Sequence, residues 1–343
     1  MTGHQDCRVA LSCPELESQI DNNNLKQSDS NLLFLDGQAH ERLRDIISRV
    51  LPSWRSAAES SGQFIDRLIG RLPDECRLDI VGDFAEPIAE DAMRTIVGLP
   101  QGEGDLMAPL LTEMSAQFDP SCAGDVMMSS VRAGQQVLSH IRLAVRQKSY
   151  ASGSVLDLLN QARLEGELSI REMLASSVML AHASFQNSAN LLSFAAVETM
   201  TNPQVYGIIT SGTPSEQRSC IEELLRLGSP VSFLIRRANA ALTIGATSID
   251  SSDIVIPCIG QANRDPAAFK DPDHFDASRD RTAHLAFGAG PHACLGAAIA
   301  RAETLAAVSA LAGRYRTLTL ESVTWGSNAI MHGPTSLRVR LAT

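Results

Sequence analysis

The ten residues Phe287-Gly288-Ala289-Gly290-Pro291-His292-Ala293-Cys294-Leu295-Gly296 constrain this chain more than any other stretch. Gly288 and Gly290 permit turns that a side chain would forbid, and they let the backbone approach a flat ligand closely. Behind Gly296 the alanine- and leucine-rich run from Ala297 to Leu311 predicts a helix. Cys294 therefore stands just ahead of a helix start, where unpaired N–H groups and the positive end of the dipole favour a thiolate. A thiolate held this way is what an iron porphyrin requires of an axial ligand. The plainer alternative is a buried structural cysteine.

With 343 residues, 44% hydrophobic and 20% charged, the chain is long and apolar enough for one large globular domain or two ordinary ones. No run approaches the ~18 apolar residues of a membrane span. The polar start from Met1 to Gln19, with Asp6, Arg8 and Glu15, reads as neither signal peptide nor anchor. Seven scattered cysteines without paired ligand spacing fit a reducing compartment, so a cytoplasmic protein without a membrane partner is expected. A net charge of −10 argues against nucleic acid as a partner.

Along the chain, the asparagine run Asn22–Asn24 gives way to Phe34-Leu35-Asp36-Gly37, which leads into a helix carrying Ile46, Ile47, Val50 and Leu51. His40 and Arg44, four apart, project from one face of it. They form either a solvated basic face or a clamp for an anion. Residues 56–150 alternate amphipathic helical patterns with breaks at Pro73, Pro87, Pro100 and Pro120. Ser169-Ile170-Arg171-Glu172 is a capping box that opens an apolar helix running to about Thr201, roughly 50 Å at ~1.5 Å per residue. Glu223 and Arg226 are spaced to pair on a further helix. Alternation in Ala241–Ile256 predicts short strands, and the end from Trp325 to Leu341 reads as a hairpin.

The run 287–296 resembles the haem-binding loop of the cytochrome P450 family, which has Phe, Gly, Gly, His, Cys and Gly at this spacing. Ala262-Asn263-Arg264-Asp265-Pro266, Phe269, Pro272, Phe275 and Arg279 resemble the meander that leads to that loop. From Asp36 to Leu341 the landmarks follow the family's order. The resemblance implies a mainly α cytochrome P450 fold with small β-sheets, as one domain over 1–343. Within it lie a shortened N-terminal region at 1–35, a long distal helix at 169–201, and the cysteine loop with its proximal helix at 287–311. Because members carry several dozen more residues before the His40/Arg44 helix, the first helix and first strands are expected to be missing, with a helix surviving near Val9–Leu16.

For the site, the resemblance implies haem b with Cys294 as the iron ligand. His40, Arg44, Arg236 and His292 would hold propionates, Phe287 and Gly288 would line the cofactor, and Glu223 with Arg226 would brace the cysteine loop. Substrate contacts would come from the loop before His40, from 114–128, from Ala183, from Val231 and Phe233, and from Met331 beside His332. Aligned on Ala189-Asn190-Leu191-Leu192, the family's oxygen-binding groove falls at Ala183–Ser188, where its usual acid and threonine are replaced by Gln186 and Asn187. Neither amide is an acid. Protons would then arrive through ordered water or the substrate, with Asn187 orienting whichever it is; His182 nearby is a replacement acid or a packing histidine. The implied activity is a bacterial-type monooxygenase of secondary metabolism, acting on a small apolar or mixed molecule with O2. Electrons would come from a ferredoxin or flavodoxin. The alternatives are non-hydroxylating haem-thiolate chemistry (cyclisation, coupling, peroxide-driven oxidation) and a haem-free helper subunit of a glycosyltransferase.

Overall fold

The computed structural model describes residues 1–18, 31–49, 51–100, 107–280, 283–331 and 333–343, without the side chains of 51–60. Asn22–Asn24, Val50, the Leu51 side chain and His332 lie outside the described residues. The described chain is mainly helical with small sheets.

Helix α1, His4–Ser12, is followed by Cys13 and Pro14; the proline cannot continue the helix, and the chain turns into strand β1, Leu16–Glu17. The helix expected near Val9–Leu16 is thus shifted toward the start, and Leu16 belongs to a strand. Cys7 and Leu11 of α1 pack on Ile259, Ala262 and Leu285, so this first helix is seated beneath the segment that leads into the cysteine loop. Helices α2, Gly37–Ser48, and α3, Leu51–Gly70, come next. Strand β2, Glu75–Asp79, then interrupts what the sequence reads as purely helical. Its five residues are too few for a periodic signal, and pairing with the distant C-terminus creates it. A π-helical turn, Ile80–Ala85, continues into α4, Glu86–Val97. Pro87 sits in the first turn of α4, where no N–H is needed, so it starts a helix rather than breaking one.

Helices α5, Met107–Met114, α6, Gly124–Gln147, and α7, Val155–Leu164, lead to α8, Ile170–Thr201. The capping box forms as read: the Ser169 side chain accepts from Glu172 N–H while the Glu172 carboxylate accepts from Ser169 N–H. Over its 32 residues α8 buries Leu180, Phe185, Leu192 and Ala196 on different sides. Its packing against α4, α6, α9 (Pro203–Ser211), α10 (Pro214–Gly228) and the helix after the cysteine makes it the axis of the core.

The strands predicted within 241–256 appear. Strand β3, Arg236–Ala238, pairs antiparallel with β1, and β4, Leu242–Ile244, forms a hairpin with β5, Thr247–Ile249. Strand β6, Ile254–Val255, completes the order β1-β3-β6. After the short α11, Ile259–Ala262, and the meander comes α12, Ala297–Arg314. The terminal hairpin is β7, Thr317–Trp325, with β8, Pro334–Ala342, and β8 also takes β2 on its other edge. Its first arm thus lies ahead of Trp325 rather than beyond it. No helix among the described residues is long and apolar enough to cross a membrane.

Candidate haem-thiolate site

The cysteine loop is shaped by its two glycines, each with φ +70°. At Gly290 a Cβ would stand 2.7 Å from Ser12 Cα and 2.8 Å from the Leu11 carbonyl, so this glycine lets the loop press onto α1. The loop closes where Cys294 N–H donates to the Phe287 carbonyl at 2.9 Å. The Arg301 guanidinium lies 4.5 Å from the Phe287 ring centre and is held by Glu222, which also pairs with His284 at 2.8 Å.

Cys294 opens onto a cavity of about 310 Å³. Burial pushes its thiol above the usual value; the Gly296 and Ala297 N–H groups and the Arg301 and Arg44 charges pull the other way without winning. The start of α12 therefore does not by itself make a thiolate, and a bound metal cation would supply the positive charge still lacking.

His40, Arg44, Arg236 and His292 line the same cavity at one edge. Position and spacing on α2 bring His40 and Arg44 to one face, and Arg44 Nη2 donates to the Ala293 carbonyl at 2.9 Å. The His40 and His292 rings lie 4.1 Å apart between centres. His292 Nε2 is 3.0 Å from Asp36 Oδ1 and 3.1 Å from Ser18 Oγ. Desolvation first, then the neighbouring His292 and Arg44, lowers the His40 pKa to about 4. His40 Nε2 is buried without a partner, and the buried Arg236 donates to the Ile235 carbonyl at 2.9 Å. Donors concentrated at one edge, one of them unsatisfied, fit a ligand that brings carboxylates.

Below the loop, Arg226 and Glu223 are buried at 1% and 3% exposure. Their pairing is bidentate, with Nε–Oε2 at 2.8 Å and Nη2–Oε1 at 2.7 Å. Arg226 Nη1 also donates to the Asn263 and Pro272 carbonyls, both at 2.6 Å. Glu223 Oε1 further accepts from Arg279 and from Asp276 N–H, both at 3.0 Å. Asn263 Oδ1 then accepts from Leu285 N–H at 2.7 Å, two residues before Phe287. The pair thus ties down the meander that delivers the cysteine loop.

Across the cavity lies α8, presenting Ala183, Ser184, Asn187 and Ser188. Ser184 Oγ is used up on the Leu180 carbonyl at 2.7 Å. Asn187 Nδ2 reaches the Ala183 carbonyl at 3.5 Å, while its Oδ1 is buried without a partner. Gln186 does not line the cavity; its amide meets Ser115 Oγ and Asn190 Oδ1, each at 3.3 Å. His182 is buried, its Nε2 2.8 Å from Ser115 Oγ, and desolvation lowers its pKa to about 4. Neutral near pH 7 and packed behind α8, it is a structural histidine rather than a replacement acid.

The family model of Cytochrome P450 matches residues 217–326, which hold the Glu223–Arg226 pair, the meander, the cysteine loop and α12. The chain is 25% identical to the biotin biosynthesis cytochrome P450 of Bacillus subtilis, over 94% of this chain and 82% of that protein. It is 29% identical to 6-deoxyerythronolide B hydroxylase of Saccharopolyspora erythraea, over 91% and 78%. The chain belongs to the cytochrome P450 family. It is an enzyme of the P450 type, in a family whose cofactor is haem. Among solved structures, CYP164A2 of Mycobacterium smegmatis superposes with a TM-score of 0.89 at 24% identity, over 99% of this chain and 90% of that one. The tirandamycin C-bound monooxygenase TamI superposes at 0.86 with 26% identity, over 99% and 89%.

Within this P450 the cavity gathers Cys294, Phe287, Gly288, His40, Arg44, Arg236, His292, Ala183, Asn187 and Val231. Phe233 and Met331 are not among its lining residues. Val231 and Leu234 line the cavity, three residues apart rather than at the two-residue period of a strand, and Met331 instead bridges Val231 backbone to backbone. The segments 114–128 and 330–331 contribute no lining residue either. They support the site from behind: Asn328 Nδ2 donates to the Ser115 carbonyl at 3.0 Å, and Asp119 Oδ2 accepts from Ala329 N–H at 2.7 Å. The sequence reading placed Ser188 in the groove without giving it a role, and it missed Glu303. Glu303 is the one acid in α12, and its place in an otherwise apolar helical run was the available signal.

Proposed function

We propose that this chain is a haem b monooxygenase in which Cys294 ligates the iron and His40, Arg44, Arg236 and His292 hold the propionates. The observation that carries this is the opening of one cavity onto the Cys294 thiol, a four-residue donor edge and the α8 wall together. Haem bound there would supply the oxidation chemistry, with the Cys294 thiolate holding its iron and tuning its reactivity. The chain's own residues bind, orient and exclude water. Glu223 and Arg226 keep the cysteine loop in register, while Leu32, Ile96, Met179 and Val231 give the substrate side an apolar wall.

Among the lining residues the ionisable ones are His40, Arg44, Arg236, His292, Cys294 and Glu303. All but Glu303 serve the cofactor in this reading, so the substrate is a small, neutral, largely apolar molecule of natural-product type. The relative named 6-deoxyerythronolide B hydroxylase and the tirandamycin C-bound monooxygenase TamI support that class. A ferredoxin or flavodoxin type protein donates the electrons. The amides at Gln186 and Asn187 favour a second reading, in which the oxidation is a cyclisation, a coupling or peroxide-driven rather than a hydroxylation. Intact Cys294, His292, Glu223 and Arg226 speak against a haem-free helper role.

The test is a spectral titration of the haem-loaded protein with neutral macrolactones and with fatty acids of similar size. Neutral ligands should shift the Soret band at lower concentration than the carboxylates. Tighter binding of the carboxylates would sink the substrate assignment.

A further inference from the structure

Two walls of the cavity are joined behind its lining by one series of hydrogen bonds, and Ser115 is the link between them. The first wall is α8, where Ala183, Ser184 and Asn187 line the cavity. His182 and Gln186 belong to the same turns of α8, and both meet the buried Ser115 hydroxyl, at 2.8 and 3.3 Å. A neutral His182 satisfies this arrangement by giving its Nε2 proton to Ser115 Oγ. The hydroxyl proton is then left for Gln186 Oε1 or for the Leu111 carbonyl at 3.2 Å. The Ser115 carbonyl accepts from Asn328 Nδ2 at 3.0 Å, and Asn328 Oδ1 accepts from the N–H groups of Ile330 and Met331. The Ile330 carbonyl in turn accepts from Ser232 N–H at 2.7 Å, next to Val231 of the second wall. None of Ser115, Gln186 and Asn328 lines the cavity. One turn further along α8, Asn190 stands so close to Gly333 that a Cβ there would come within 2.4 Å of its side chain.

We propose that Ser115 and Asn328 form a clasp that sets the spacing between the α8 wall and the Val231 wall, and so makes the enzyme select its substrate by width. The inference rests on the monooxygenase reading and deepens it: the substrate is slim enough to be held without parting the two walls. Buried hydrogen bonds are costly to leave unmade, so a bulky ligand that spreads the walls must break the clasp and strand its members. A slim ligand breaks nothing. The clasp therefore penalises bulk alone, and losing it removes the penalty without altering any group that touches the ligand. It also gives Gln186 a task that a carboxylate could not perform. The amide accepts from Ser115 and donates to Asn190 Oδ1 at 3.3 Å, whereas a carboxylate has no donor for Asn190. Ser115 acts through the walls rather than on the substrate, and is a positioning residue.

The test compares haem-loaded wild type with Ser115→Ala and Asn328→Ala, using azoles that share one coordinating nitrogen and differ in bulk. Imidazole, N-phenylimidazole and N-tritylimidazole are each titrated by the shift of the Soret band. Ser115→Ala should tighten N-tritylimidazole about tenfold relative to imidazole, the factor to which ~1.4 kcal/mol of hydrogen bonding converts. Asn328→Ala should gain less, because Asp119 Oδ2 still holds Ala329 N–H. Combining the two should add little to Ser115→Ala alone, since they open links of one series. Amides of 328–331 should exchange faster with solvent in Ser115→Ala. Gly333→Ala removes no hydrogen bond, but its Cβ would push on Asn190 and should move the azole ratio in the same direction. That variant carries the test if Ser115→Ala fails to fold. A chain that is merely destabilised binds all three azoles more weakly by one factor, and that result overturns the clasp. So does an unchanged azole ratio, or a wild type that binds N-tritylimidazole as tightly as N-phenylimidazole. A wild type without the carbon monoxide band of a thiolate-ligated haem fails the monooxygenase reading itself, and the claim on substrate width falls with it.

Discussion

Replacing Glu223 with Ala tests how the cysteine loop is held. Arg226 is 1% exposed, and Glu223 supplies both carboxylate oxygens to its guanidinium. The same carboxylate satisfies Arg279 and Asp276 N–H. Removing one member of a buried ion pair leaves an uncompensated charge and costs roughly 3–5 kcal/mol. The carbonyls of Asn263, Pro272 and His274 remain to receive Arg226, which points to the lower end of that range. A loss of about 3 kcal/mol is a large part of the ~5–15 kcal/mol that holds a typical domain together. Urea unfolding gives the stability, and hydrogen exchange shows where it is lost. Amides of 263–288 should exchange faster than those of α8, and haem should leave faster. A cost under about 1 kcal/mol with exchange unchanged at 263–288 would refute the bracing argument. Glu223→Met combined with Arg226→Met should recover part of the stability, because the stranded charge is gone.

Three further outcomes follow from other parts of the site. Arg44→Ala and Arg236→Ala should each speed haem loss about tenfold or more, from charge-assisted bonds worth roughly 1.5–3 kcal/mol, and unchanged rates would place the propionates elsewhere. His182 has a folded pKa of about 4 against an ordinary 6.5, so the unfolded chain takes up a proton in that window and stability falls as pH drops from 6.5 to 4. The gap corresponds to roughly 3 kcal/mol, and His182→Gln should flatten this acid limb; an unchanged slope would contradict it. Asn187→Ala should leave haem binding intact but weaken the bound spectral shift of a neutral macrolactone, and an unaltered titration would remove Asn187 from the cavity's polar contacts.

The features legible in the sequence are those set by local chemistry. Ser169 and Glu172 announce their capping box because both partners lie within one turn. The spacing of Gly288, Gly290 and Cys294 survives as geometry because two positive-φ positions admit little but glycine. His40 and Arg44 share a face because α2 is a regular helix through both. What was not legible depends on partners far away. β2 exists because β8, more than 250 residues later, accepts it. The turning of Gln186 away from the cavity is decided by Ser115 on another segment. Phe233 and Met331 miss the lining because the chain after Val231 does not keep a strand's two-residue alternation and because Met331 meets Val231 through a backbone bridge. Glu303 acquires its shifted pKa only when α8, α4 and α12 meet around it.

The central claim is that Cys294 is the axial ligand of a haem in this cavity. The direct measurement is the absorption spectrum of the reduced protein under carbon monoxide, for wild type and for Cys294→Ala. Wild type should show the strongly red-shifted Soret band of a thiolate-ligated haem. Cys294→Ala should lose that band while keeping its helical circular dichroism. A wild type that folds fully yet binds no haem, or a Cys294→Ala variant that keeps the shifted band, would contradict the account.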